Sequence, residues 1–173
     1  MRSRHNVVDE LLALRRKLPR DDALQPQIAF ALANLNHEYQ SNADVITSAL
    51  SRDSKFKGLD ADQAASLLIR LINKGDQERL RELLRSADWA DGALAEIIGD
   101  EASDQLLHDT AGFLALLRAE PQSLRMKIYR LIHNSGSLNE EDKKLIDLRL
   151  RQVEKKSPVF AVALEPRASQ AVR

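Results

Sequence analysis

The chain has 173 residues, of which 43% are hydrophobic and 30% charged, so it is long enough for one folded domain and too apolar for wholesale disorder. It contains no cysteine, which excludes disulfides, thiolate metal sites and thiol catalysis. The net charge of +0 conceals a segregation, because residues 1–20 carry +4, residues 143–173 carry +5, and the residues between them carry −9. Such segregation either serves solubility or orients a charged partner.

The N-terminal residues do not have the pattern of a targeting segment. Charged side chains at Asp9, Glu10, Arg15 and Arg16 interrupt the apolar positions, so the continuous apolar run of a signal peptide is missing. No stretch approaches the roughly 20 apolar residues of a membrane span. A cytoplasmic protein is the simplest expectation.

The first half of the chain is predicted to be helical, because Leu and Ala dominate its apolar residues and recur with helical spacing. Asn42 is expected to cap the third helix, Asp60 and Gln63 to form a capping box, and Gly75 to end the fourth helix. Phe56 lies in a polar, cationic loop at residues 53–58, where we expect it to plug the core. The first five helices are predicted at about residues 6–18, 22–39, 42–51, 60–74 and 76–87.

Four more helices are predicted in the second half, at about residues 88–99, 100–120, 121–134 and 137–156. Gly99 is expected to end the sixth, Pro121 to begin the eighth, and Ser137 with Glu140 to cap the ninth. The predicted fold is therefore all-α, an irregular bundle or stacked helical hairpins of eight or nine helices. Residues 1–156 are expected to form a single domain, followed by an extended C-terminal tail at residues 157–173.

The predicted tail carries a short apolar run. Residues 159–164 are apolar and partly alternating, which is compatible with an extended segment. Left exposed, such a run promotes aggregation, so we expect it to dock either on its own domain or on a partner. Phe160, Val162 and Leu164 are the predicted contact residues.

Searches for catalytic and metal-binding patterns give nothing specific. The four histidines lack the three- or four-residue spacing of a helical metal pair, and no P-loop, G-x-G-x-x-G or G-x-S-x-G motif occurs. Acidic pairs lie at helix starts, where capping explains them better than acid–base catalysis. We therefore predict no catalytic residue, no metal and no cofactor. An enzyme with carboxylates assembled from distant helices is the alternative.

Residues 94–99, with the sequence LAEIIG, resemble the first helix and turn of the helix-turn-helix family of DNA-binding proteins. The resemblance implies a recognition helix after Gly99. That position instead carries Asp100, Glu101 and Asp104, which would repel phosphate. A degenerate helix-turn-helix is one form of a DNA-binding alternative.

The predicted helix at residues 121–134 is basic, with Arg125, Lys127 and Arg130 as candidate partner-binding residues. These side chains could bind phosphates or an acidic protein surface. The sequence favours a non-enzymatic protein-protein interaction or regulatory protein, and a bacterial adaptor, effector or antagonist is the narrower hypothesis. A DNA-binding regulator that uses this basic helix is an alternative. The partner is expected to be another protein, with nucleic acid as the second possibility.

Overall fold

The computed structural model of the chain describes residues 4–154. Within this range the fold is all-α, as predicted, and contains no strand. The helices are α1 (Arg4–Lys17), α2 (Leu24–Asn34), α3 (Tyr39–Ala49), α4 (Ala61–Ile72), α5 (Gln77–Arg85), α6 (Gly92–His108), α7 (Thr110–Arg118), α8 (Gln122–His133) and α9 (Glu140–Glu154). A single 3-10 turn, Ser86–Asp88, follows α5. No helix among the described residues is both long and apolar enough to cross a membrane.

The described residues form two compact units, divided between Ile97 and Ile98. We call them the N-terminal and C-terminal units. Helices α1 to α5 belong to the first, α7 to α9 belong to the second, and α6 contributes residues to both. The single domain over residues 1–156 stays a prediction, and the tail at residues 157–173 lies outside the described residues.

The core of the N-terminal unit is aliphatic, because the apolar stripes of its helices converge. Its fully buried side chains include Leu32, Ile46, Leu68, Leu80 and Leu84. Helix α2 packs along α3, α3 packs on α4, and α4 packs on α5. Helix α1 packs on α2 less closely, and its Leu14 is 44% exposed.

Several predicted helix boundaries are confirmed in the N-terminal unit. The side chain of Asp60 accepts a hydrogen bond from the Gln63 N–H, and the side-chain oxygen of Gln63 accepts one from the Asp60 N–H, which is the predicted capping box. Asp76 caps α5 by accepting from the Arg79 N–H. Gly75 adopts φ +95°, a left-handed conformation that glycine allows without strain. These caps fix the α4–α5 hairpin.

The predicted boundary between α2 and α3 is wrong. Helix α2 ends at Asn34, and Asn36 and Glu38 both adopt positive φ before α3 starts at Tyr39. Asn42 therefore lies inside α3, where it is 1% exposed and cannot be an N-cap. Its side-chain amide instead donates to the carbonyl oxygens of His37 and Glu38 at 2.7 and 3.2 Å. The short side chain of asparagine can bond nearby backbone groups either as an N-cap or from inside a helix. The sequence alone therefore does not distinguish the two positions.

The predicted stop at Gly99 is also wrong, because α6 continues through it to His108. A Cβ atom at Gly99 would lie 2.8 Å from the carbonyl oxygen of Leu131 in α8. This glycine therefore serves close packing of two helix backbones within the C-terminal unit. Asp109 makes the actual break by capping α7 through the Gly112 N–H.

The start of α8 after Pro121 is confirmed, whereas the predicted cap of α9 is not. Asn139 caps α9 by accepting from the N–H groups of Glu141 and Asp142. Ser137, the predicted cap, bonds Asp100 instead. The C-terminal unit is closed by buried side chains of α6 to α9, among them Ile98, Leu106, Phe113, Leu117, Ile128 and Ile146.

Candidate partner-binding groove

An open groove of about 560 Å³ lies in the N-terminal unit, and we call it the cationic groove. The last turns of α1, the α1–α2 connection, one side of α3 and the loop before α4 form its walls. Its floor is apolar and its rim is basic. The apolar lining is Leu12, Leu18, Val45 and Phe56, and the polar lining is Arg15, Arg16, Arg20, Lys55 and Gln25.

The α1 wall is held by the buried side chain of Gln25, which is 7% exposed. Its amide nitrogen lies 3.2, 3.4 and 2.9 Å from the carbonyl oxygens of Arg15, Leu18 and Pro19. Helix ends leave such carbonyl groups without helical partners, so Gln25 acts as a side-chain cap on α1. The basic residues that follow are therefore presented from a fixed backbone.

Arg15 is itself positioned by a buried polar contact. Its Nη1 donates to Oδ1 of Asn42 at 2.8 Å, while Asn42 is fixed by the carbonyl oxygens of His37 and Glu38. A guanidinium has five N–H donors in a planar fork, so donors remain for an anion after this bond. Arg15 can therefore offer a fixed, planar contact to a carboxylate.

The opposite wall is a loop that Phe56 and Lys57 attach to the unit. Phe56 is 6% exposed, and Lys57 donates from its backbone N–H to the Asp21 carbonyl oxygen at 2.8 Å. The Lys57 ammonium also pairs with the Asp21 carboxylate at 2.8 Å, and this hydrogen bond lowers the pKa of Asp21. The attached loop carries Lys55, whose Nζ lies 5.4 Å from the centre of the Phe56 ring.

The positive charge of the groove is not compensated within the described residues. No ion pair found there involves Arg15, Arg16, Arg20 or Lys55. The two acids next to Arg20 in sequence are occupied elsewhere: Asp21 pairs with Lys57, and Asp22 accepts from the Leu24 N–H at the start of α2. Four cations around one apolar floor make a site for an anionic group with an apolar part.

A second group of charges in the same unit surrounds Arg79, and we call it the arginine cluster. Arg79 is 1% exposed, and its guanidinium lies within 4 Å of the carboxylates of Asp44, Asp76, Glu78 and Glu82. Its Nη1 also donates to Thr47 at 2.8 Å. The cluster joins α3 to α5 around a guanidinium, so its centre is occupied and offers no space for a substrate.

Tyr39 extends the arginine cluster by donating from its hydroxyl to Asp76 at 2.6 Å. Burial, and secondarily the hydrogen bond to Asp76, raises the pKa of Tyr39 to about 12. The tyrosine therefore stays neutral at physiological pH and acts as a donor. The enzyme alternative predicts carboxylates assembled from distant helices. In this cluster only Asp44 comes from another helix, and the Arg79 guanidinium lies between the carboxylates.

The C-terminal unit has two polar features of its own. The hydroxyls of Ser135 and Ser137 both bond the carboxylate of Asp100, which ties the α8–α9 connection to α6. Glu101 is buried, and burial raises its pKa while Gln105 donates to it at 2.9 Å. Hydroxyl activation needs a base that accepts the proton during attack on a bound substrate. The bonds of Ser135 and Ser137 to Asp100 join α6 to the α8–α9 connection and stabilise the packing of the C-terminal unit.

The predicted site residues fall in different places. Arg125, Lys127 and Arg130 lie on α8 of the C-terminal unit, where Arg130 is exposed and the other two are half-buried. Burial raises the pKa of Tyr129, which the charges of Arg125 and Arg118 partly oppose. The helix-turn-helix resemblance does not hold in the structure, because α6 has no turn at Gly99. Phe160, Val162 and Leu164 lie outside the described residues, so the contacts predicted for them and for α8 stay predictions.

The cationic groove was missed at the sequence level, although two signals for it were visible. Residues 1–20 are basic and the loop at residues 53–58 is cationic, but no sequence pattern predicts that these two segments lie side by side. Among the described residues no group of three or more His, Asp or Glu side chains could hold a metal ion. Comparison of the chain with models of known protein families, with curated proteins and with solved structures found no match in any of the three.

Proposed function

We propose that the protein is a non-enzymatic protein-protein interaction module, and that the cationic groove is the surface with which it binds its partner. The observation that carries the proposal is the set of four uncompensated cations around an apolar floor. An apolar centre with a polar, charged rim is the common arrangement of protein interfaces. Arg in particular is enriched among the residues that contribute most to binding.

The local construction of the groove supports recognition of another molecule. Gln25 and Asn42 are buried, and their side-chain hydrogen bonds hold the walls of the groove in place. A surface that is already fixed loses little conformational entropy on binding, which strengthens association. Solubility alone would not require the bond that holds Arg15 to Asn42.

The test is a capture experiment with a groove variant and a matched control. The groove variant carries Arg16→Glu, Arg20→Glu and Lys55→Glu, and the control carries Lys17→Glu, Arg52→Glu and Lys144→Glu. All six side chains are exposed and both variants change the net charge equally. We expect the wild type and the control to capture the same protein from a lysate of the source cells, and the groove variant to lose it.

Location of the contact needs a second readout. A photo-crosslinking amino acid at Val45, on the apolar floor, should form a covalent product with the captured protein. The same amino acid at Ser66, which is exposed on α4, should not. Equal capture by the groove variant, or a product at Ser66 and none at Val45, would contradict the proposal.

A further inference from the structure

We infer that the cationic groove binds an amphipathic helix whose charged face is acidic. This inference rests on the proposed function and names the chemistry of the partner. Exposed Arg16, Arg20 and Lys55, together with the anchored Arg15, need carboxylates opposite them. A protein segment rich in Asp or Glu supplies several carboxylates to these cations at once.

The floor of the groove adds an apolar requirement. Leu12, Leu18 and Val45 are half-buried and Phe56 is almost fully buried, so the floor is apolar surface that remains partly in contact with water. Covering such surface contributes about 25 cal/mol per Å². A purely acidic segment would leave this contribution unused, whereas a segment with apolar side chains on one face would use it.

The backbone of the bound segment is expected to be helical. An extended peptide commonly binds by adding to the edge of a sheet, and residues 4–154 contain no strand that could receive it. In a groove with an apolar floor, a peptide backbone without partners would lose its hydrogen bonds to water. A helix satisfies these bonds internally and lays one face into the groove.

Other occupants fit the groove less well. The residues beyond the described range, 155–173, carry four basic side chains against Glu165, so their charge opposes docking in this groove. Single-stranded nucleic acid stacks its bases on exposed aromatic rings, and Phe56, the aromatic residue of the lining, is 6% exposed. Small-molecule sites enclose about 70 to 90% of their ligand, whereas this groove is open.

The anchored and the free cations are expected to contribute differently. Arg15 is held by Asn42 at 2.8 Å, so its fork can select the geometry of one carboxylate. Arg16 is exposed and adds charge without fixed geometry. Lysine keeps the charge but loses the fork, so Arg15→Lys should weaken binding about tenfold, and Arg16→Lys should change it less than about twofold.

The inference is tested with fluorescein-labelled peptides of about 15 residues, measured by fluorescence anisotropy on the full chain. The first has Leu at helical spacing on one face and Glu on the other. The second has the same composition with the Leu residues spread around the helix, the third replaces Glu with Gln, and the fourth carries two interior Pro residues. We expect the first to bind at least tenfold more tightly than the others, and its affinity to fall with added salt.

The outcomes separate the inference from the proposed function. If the proline or the permuted peptide binds as tightly as the first, the segment is not helical and the inference is wrong. If the Gln peptide binds equally, the acidic requirement is wrong. Binding of a single-stranded oligonucleotide in preference to every peptide, or self-association of the chain that the groove variant abolishes, would also overturn it. Groove-dependent capture without any peptide binding would leave the proposed function standing and remove the inference.

Discussion

Arg79 and the four cations of the groove lie in the same N-terminal unit, in opposite surroundings. Arg79 is 1% exposed and lies among four carboxylates, whereas no described carboxylate pairs with Arg15, Arg16, Arg20 or Lys55. A buried charge is tolerated only with partners around it, so Arg79 is bound to its position. Arg15 bonds Asn42 and Lys55 lies near the Phe56 ring, but none of the four cations gains stability from a described ion pair, and like charges repel one another. The contrast indicates that one group of charges fixes the fold and the other is available for binding.

The largest expected effect comes from removing the buried guanidinium. Arg79→Met should lower the free energy of unfolding by about 3 kcal/mol, because the carboxylates of α3 and α5 lose their shared cation. This loss is at the lower end of the range for removing one partner of a buried ion pair, because the Asp44 and Glu78 side chains are both 59% exposed and keep contact with water. Urea denaturation measures it. Arg85→Met, at an exposed position of the same helix, should cost less than about 1 kcal/mol. Equal losses would mean that Arg79 has no special role.

Asn42 connects the two regions, because it anchors Arg15 from inside α3. Asn42→Ala should lower the free energy of unfolding by about 2 kcal/mol, since the part-buried bonds of its side chain to the carbonyl oxygens of His37 and Glu38 and to Arg15 are lost together. It should also weaken partner binding by releasing Arg15. The exposed Ser41→Ala is the control, with an expected change within about 0.5 kcal/mol. Loss of stability without any loss of binding would show that Arg15 does not need its anchor.

The arginine cluster should also be visible in a tyrosine titration. The chain has two tyrosines, and the raised pKa values of Tyr39, about 12, and of Tyr129 predict little phenolate absorbance near pH 10. The pKa of Tyr39 is raised above its unfolded value of about 10, so its stabilising effect is complete below pH 10 and is lost as the pH rises through 12. Asp76→Asn should lower the pKa of Tyr39 only in part, because burial is the larger cause. Ordinary titration of both tyrosines near pH 10 would contradict this description.

The smallest effect is expected at the ion pair that attaches the groove loop. Lys57→Gln removes the hydrogen bond that lowers the pKa of Asp21, so the pKa of Asp21 should rise toward its ordinary value in a carbon-detected NMR titration. The pKa of Asp21 is depressed in the fold, so the stabilising effect of the pair is present above the unfolded pKa and is lost as the pH falls through the folded pKa. Both side chains are substantially exposed, so the change in stability should be slight. An unchanged pKa of Asp21 would mean that the pair does not form.

Local signals in the sequence predicted most of the fold. The capping box at Asp60 and the left-handed Gly75 are short-range features, and both are present. The sequence predicts a helix stop at Gly99. In the structure the carbonyl oxygen of Leu131, which lies 32 residues away in sequence, leaves no room for a side chain at this position. A pattern of neighbouring residues carries no information about a contact between two helices that are far apart in sequence.

The groove and the arginine cluster could not be predicted for the same reason. Arginine is seldom fully buried, so the sequence indicates an exposed Arg79, and only the packing of α3 against α5 brings Asp44 to it. Lys55 joins the basic residues of α1 because Phe56 and Lys57 attach their loop to the α1–α2 connection. Asp76, Glu78 and Glu82 are sequence neighbours of Arg79, but the contacts that complete the cluster and assemble the groove are tertiary and are not encoded in the spacing of residues.

The most direct test of this contrast is the stability of a neutralised groove. Arg16→Gln, Arg20→Gln and Lys55→Gln together remove three like charges that have no described acidic partner. We expect a free energy of unfolding within about 0.5 kcal/mol of the wild type, or slightly higher, in urea denaturation at low salt. The same variant should lose binding to the captured protein. A loss of stability comparable to that of Arg79→Met would show that these cations hold the fold together, and it would contradict the account.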